Sequence, residues 1–138
     1  MKFKYFQYPV EGNKSVYRPS VPIVFKKGKK MVWISAAIID SGSDYIILPI
    51  ELAGELGIKI DPKKRMDFYA AGGNSFPVYP AGTEVEYILR QNGFRPIRRE
   101  TEVYFAESQS GILLGNIGFL DCFKVVLNGL KKELELSV

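Results

Sequence analysis

The sequence predicts an all-β fold, mostly strand with one or two short helices. Three observations carry this. Short apolar runs rich in Val, Ile, Tyr and Phe recur along the chain, and turn residues separate them. Two Asn-Gly pairs, Asn92-Gly93 and Asn128-Gly129, stand between such runs and signal two-residue hairpins. No linker or low-complexity segment divides the 138 residues, a length that suits one domain with a closed core.

The elements follow in order. Val21 to Phe25 and Met31 to Ile39 read as strands joined by a basic turn at Gly28. The second is so poor in polar residues that its end is expected to be buried. It stops at Asp40-Ser41-Gly42-Ser43-Asp44, a tight loop, and Tyr45 to Leu48 is apolar again. Pro49 suits the first position of a helix, where a missing N–H is harmless. Leu52, Ala53 and Leu56 share a face and Gly57 is a stop, which predicts a helix over Pro49 to Leu56. Met66 to Ala71 and Ser75 to Tyr79 flank Gly72-Gly73-Asn74, a hairpin with a flexible tip. Val85 to Leu89 and the segment after Phe94 flank one Asn-Gly pair; Phe123 to Leu127 and Lys132 to Leu136 flank the other. Trp33, Phe68, Tyr69 and Phe76 sit in apolar patterns that read as core. A weak internal echo links Ala37-Ile38-Ile39-Asp40-Ser41-Gly42 with Ile112-Leu113-Leu114-Gly115-Asn116, each an apolar strand running into a sharp turn.

Composition excludes several chemistries. There is no His, and Cys122 is the one cysteine. Ser-His and Cys-His nucleophilic sites are therefore absent, as are ordinary zinc sites and any intramolecular disulfide. No metal and no cofactor is expected, and a hydrolase built from this chain would use carboxylates. The formal charge of +4 gathers at Lys26 to Lys30, Lys63 to Arg65, Arg95 to Arg99 and Lys131-Lys132. These read as solvated turns and edges rather than a nucleic-acid groove. No apolar run approaches the ~20 residues of a membrane span. The first residues lack the apolar stretch of a signal peptide, so a cytoplasmic setting is expected.

A carboxylate ending a buried strand is costly unless it is hydrogen-bonded or has work to do. Gly42 allows close backbone approach, and Ser41 and Ser43 place hydroxyls beside Asp40. That would suit acid–base chemistry. An Asp-Ser-Gly turn capped by its own side chain fits the same residues.

The context of the loop adds a resemblance. Ala37-Ile38-Ile39-Asp40-Ser41-Gly42-Ser43-Asp44 resembles the active-site segment of retropepsin-like aspartic peptidases. Ile46-Ile47-Leu48-Pro49 with its helix is similar to bacterial and archaeal members. So are Ile112-Leu113-Leu114-Gly115 and the following Gly118 to Val125. The Gly72-Gly73 hairpin lies between the two motifs, where that family carries its flap. The likeness spans about residues 21 to 136, leaving residues 1–20 as an extension of unknown role.

The resemblance implies a closed acid-protease-type barrel, a single lobe that works as a homodimer on peptide or protein substrates. Catalysis would come from two Asp40 carboxylates, one per protomer, because Asp44, Asp61, Asp67 and Asp121 lack the following Ser/Thr-Gly. Ser41 would bond across the dimer axis, Gly42 would face the substrate backbone, and Ser43 would support the site. Asp44 would contact substrate main chain, or is a solvated loop acid. Ile38, Ile47 and Leu113 would wall pockets, or are plain core. Gly72 and Gly73 would let the flap move, or form an ordinary turn. Retroviral members carry Arg after the second motif's glycine, whereas Asn116 and Ile117 stand here, so the loop must be braced in another way. A non-catalytic dimerisation or peptide-binding module and a nucleic-acid-binding β-barrel are the competing readings.

Overall fold

The computed structural model describes residues 1–138. Twelve strands run in the order β1 (Lys2–Lys4), β2 (Phe6–Val10), β3 (Lys14–Arg18), β4 (Ser20–Lys27), β5 (Lys30–Ile39) and β6 (Ile47–Pro49), then, after one helix α1 (Glu51–Glu55), β7 (Met66–Tyr69), β8 (Ser75–Leu89), β9 (Ile97–Ala106), β10 (Leu113–Leu114), β11 (Lys124–Asn128) and β12 (Glu133–Ser137). The protein is mostly β, as the apolar runs and turn residues predict. None of its helices is long and apolar enough to cross a membrane.

Seven strands form the main sheet in the order β4-β5-β10-β6-β9-β8-β7, and β4 also pairs with β8. That extra pairing closes six strands into a ring. Its inward side chains make the core, with Phe25, Tyr87, Phe105, Phe119, Leu48 and Leu114 fully buried. Most pairs are antiparallel, but β5–β10 and β6–β9 are parallel. The two parallel pairs arise where the chain returns after long excursions. They place β10 between the strand entering the Asp40 loop and the strand leaving it, with Leu113 opposite both Ile38 and Ile47. The segments that echo each other in sequence thus lie side by side.

Residues 1–20, unassigned by sequence, divide their roles. β1 joins β12 and β11 in a three-stranded sheet, and β2 pairs with β3 in a separate hairpin. That hairpin is largely exposed, tied to the body by the Tyr8 hydroxyl near Ser20 and Ala36.

Several boundaries differ from expectation. Pro49 ends β6, paired with Ala106, and the helix begins only at Glu51. Parallel pairing to β9 outweighs the preference of proline for a helix start, since proline still offers its carbonyl to a ladder. Ser75 to Tyr79 and Val85 to Leu89 merge into the single strand β8, with a register shift between Pro80 and Glu84. Neither Asn-Gly pair makes a two-residue turn. Leu89 pairs with Ile97, and Asn128 pairs with Glu133, so both loops are longer. Pro96 has no N–H for the ladder, which delays pairing in the first. In the second, the Asn128 side chain accepts from Lys131 N at 2.9 Å and stabilises the wider turn. Trp33 and Tyr69 are not core: they are 67% and 76% exposed. Trp33 points outward from β5 beneath the Arg90 guanidinium, 5.6 Å from the ring centroid.

Tyr87 ties β8 to the turn before Leu120–Cys122. Its hydroxyl donates to the Gly118 carbonyl at 3.0 Å, and burial, with Cys122 and Asp121 adding, raises its pKa above the ordinary 10.0 while Arg99 opposes. A raised acid stabilises the fold fully below the unfolded value and loses that contribution as pH rises past it. Denaturant unfolding between about pH 8 and about pH 11 should therefore show wild-type stability falling above about pH 10. Tyr87→Phe should be less stable by about 1 kcal/mol at neutral pH and show a flatter alkaline decline.

Candidate active site

The Asp40 loop is fixed from behind. Asp40 N–H donates to Leu114 O at 3.1 Å, Ser43 N–H to Asp40 O at 3.1 Å, Asn116 N–H to Ser43 O at 2.9 Å and Ile117 N–H to Asp44 O at 2.7 Å. The loop between β5 and β6 is thus stitched to the residues that leave β10. Gly115 lies at the crossing. A Cβ there would sit 2.4 Å from Tyr45 O and 2.5 Å from Ser43 O, so only glycine lets the two segments touch.

The Asp40 side chain is half-buried at the mouth of the ring, and its Oδ1 accepts the Gly42 N–H at 2.9 Å. The carboxylate is therefore aimed by the backbone two residues on, which is the geometry of a self-capped Asp turn. It also faces open space. A cleft of about 470 Å³ begins at Asp40, Gly42, Ser43 and Asp44 and runs between the loop and the β7–β8 hairpin. A merely structural turn acid has no need of such a cleft beside it.

The expected site residues divide as follows. Asp40, Gly42, Ser43, Asp44, Ile47 and Leu113 all line the cleft. Ser41 is exposed on the outer edge of the loop. Ser43 is buried, and its hydroxyl donates to Tyr45 O at 2.8 Å, so it braces the loop and does not donate to the carboxylate. Ile38 is partly buried beside Gly111 and is not part of the cleft wall. Gly72 and Gly73 are exposed at the hairpin tip, also outside the wall. Gly73 N–H donates to Ala70 O at 2.9 Å with φ at +84°, a turn conformation that glycine adopts without strain. The hairpin residues that meet the cleft are instead Asp67 to Ala71 and Phe76.

Two features are hidden from the sequence. The cleft wall is aromatic: Tyr45 stacks on Phe68 with centroids 5.4 Å apart, and both pack against the buried Tyr104, 4.7 Å from Tyr45. These rings come from β9, the hairpin and the Asp40 loop, so no local pattern groups them. The second is the side chain of Asn116. Its Nδ2 donates to Ser41 O at 3.0 Å and Ser43 O at 3.1 Å, gripping both sides of Gly42. This side chain is the brace of the loop. The nearest sequence signal was a polar residue directly after the buried Leu-Leu-Gly.

No protein-family model matches this sequence, and no curated protein matches it. The geometry therefore stands on its own.

Gly115→Ala should destabilise the fold by about 1–3 kcal/mol, because the methyl has only backbone to displace. Chemical denaturation would measure this. A change under about 0.5 kcal/mol would mean that the crossing is looser than the contact distances require.

Proposed function

We propose that this protein is an aspartic endopeptidase that acts as a homodimer, with a water activated between two Asp40 carboxylates, one from each protomer. The observation that carries the reading is Asp40 itself: a half-buried acid held by the Gly42 N–H, at one end of an apolar cleft roofed by a hairpin. The ring of strands is consistent with a single acid-protease-type lobe. The Asp-Ser-Gly loop and the Leu-Leu-Gly segment that crosses behind it belong to the sequence resemblance described above.

The chemistry follows from two carboxylates held about 3 Å apart. They cannot both ionise, so they share one proton. The charged member draws a proton from water, which attacks the peptide carbonyl. The protonated member donates to the carbonyl oxygen. The nucleophile is water, so neither His nor Cys is needed. One chain offers one Asp in this setting, and a two-fold axis passing by the exposed Ser41-Gly42 edge would supply the second. An extended peptide would lie between loop and hairpin, its side chains against Tyr45, Ile47, Phe68, Phe76 and Leu113. The hairpin would open and close over it.

The nucleic-acid reading draws on exposed Trp33 and its neighbour Arg90. Its weakness is local neutralisation. Lys26 and Lys27 share their groove with Glu84, Glu86 and Glu100, and Arg98 pairs with Glu86 at 3.2 Å. A non-catalytic module would keep the cleft and lose the chemistry, and it is separated by activity alone.

Digestion of a peptide library should reveal cleavage that Asp40→Asn reduces to below about a hundredth, with fold and dimer mass unchanged. Greater residual activity would remove Asp40 from the chemistry. Mixing wild-type chains with Asp40→Asn chains under subunit exchange tests the shared dyad. At constant total concentration and random pairing, activity should fall as the square of the wild-type fraction. A linear fall would place both catalytic groups in one chain, with Asp44 and Asp67 in the same cleft as the candidates for the second.

A further inference from the structure

We infer that Asn116 is a positioning residue for Asp40, acting through the backbone of the loop rather than by touching the carboxylate. The inference rests on the peptidase reading for its kinetic consequence, although its structural part does not.

Asn116 meets the loop with three donors. Its backbone N–H reaches Ser43 O at 2.9 Å, and its side-chain nitrogen reaches Ser41 O at 3.0 Å and Ser43 O at 3.1 Å. Both side-chain acceptors are carbonyl oxygens, so only the NH₂ end of the amide can face them. The two carbonyls belong to the residues before and after Gly42. Holding them fixes the peptide plane that carries the Gly42 N–H, and that N–H is the donor to Asp40 Oδ1 at 2.9 Å.

The loop needs this clamp. Ser41 and Gly42 are exposed, and a Cβ on Gly42 would meet only Asp40 Oδ1, at 3.1 Å, so no packing holds the tip. The Ser43 hydroxyl is committed to Tyr45 O. Asn116 is held firmly enough to serve. It follows Gly115 at the crossing, and its carbonyl accepts Asp121 N–H at 3.0 Å from the turn behind. The chain of constraint runs from that turn through Asn116 to the Ser41 and Ser43 carbonyls, then to Gly42 N–H and Asp40.

The test uses Asn116→Ala, which removes both side-chain donors, and Asn116→Asp, which keeps the shape but sets a carboxylate oxygen against the two carbonyls. Three readouts apply: kcat and KM on a cleaved peptide, the Gly42 amide resonance with its hydrogen-exchange rate, and the thermal midpoint. Both variants should lower kcat on the order of tenfold or more, with KM changed less than about threefold, because a misplaced carboxylate harms the reaction more than the binding. The Gly42 amide should shift and exchange faster in both. In the wild-type protein, exchange of the Asn116 side-chain NH₂ should be slowed, which needs no variant to fold. Unchanged kcat in either folded variant, or an unmoved Gly42 amide, would overturn the inference. So would an unprotected Asn116 NH₂ in the wild type. If the wild-type protein cleaves no peptide, the peptidase reading fails, while the Gly42 and Asn116 amide measurements still decide whether the clamp exists.

Discussion

The insertion of Leu113 and Leu114 between β5 and β6 is the constraint from which the rest of the site follows. Two strands that enter and leave a short loop would ordinarily pair with each other. Here a third strand lies between them, and the loop must span the gap. The spanning residues cannot satisfy their backbone groups along a ladder, so they bond backward to the segment that follows β10: Asn116 and Ile117 donate to Ser43 and Asp44. Ser43 is buried, and its carbonyl left unpaired would cost about 1–3 kcal/mol, so the crossing has to be tight. Tightness in turn requires Gly115, whose absent side chain leaves room for Tyr45 O and Ser43 O. The half-buried position of Asp40 is a consequence of this crossing. It is the first residue beyond β5, its N–H still bonded to Leu114 O while its side chain stands half-buried at the mouth of the ring.

The same geometry explains why the cleft lies on one side of the loop. The backs of β5, β6 and β10 are committed to the main core through Ile39, Leu48 and Leu114. Their opposite faces present Ile47 and Leu113, which join Val78, Tyr104 and Ala106 in a smaller apolar group bordered by Tyr45, Phe68 and Phe76. This second group is covered only by the β7–β8 hairpin, whose strand β7 is an edge held by a single neighbour. β7 lies outside the closed ring, and its hairpin ends in an exposed glycine tip, so this strand has fewer ladder partners than those of the ring. The cleft, the hairpin over it and the position of the acid therefore share one origin in the pairing order of the sheet.

Charge is distributed to a different purpose. The basic residues that make the chain positive sit on turns and the outer sheet face. There Lys27 donates to Thr83 Oγ1 at 2.6 Å and Glu84 O at 2.7 Å, and Arg98 pairs with Glu86. Exposed pairs of this kind add little stability. The cleft, by contrast, has three Asp residues and no Lys or Arg in its lining.

The all-β class was legible from the recurring apolar runs and turn residues, and the candidate acid was legible from an apolar strand ending in Asp40-Ser41-Gly42. The hairpin between the two motifs was legible as well, from Gly72-Gly73. These are local properties, set by side-chain period, backbone freedom and the cost of burying charge within a few residues. Turn length was misread at both Asn-Gly pairs, because Pro96 and the Asn128 side chain changed where pairing could resume. Trp33 and Tyr69 were misread because an apolar pattern does not say which face of a strand is covered. The parallel contact of Leu113-Leu114 with Ile38-Ile39 and the grip of Asn116 on Ser41 and Ser43 join residues more than seventy positions apart, and the aromatic wall gathers rings from separate elements. The sequence by itself determined which residues could end a strand, turn a corner or carry a proton. Only the tertiary structure decided which of them meet, because strand order depends on packing across the whole ring and on no short stretch of chain.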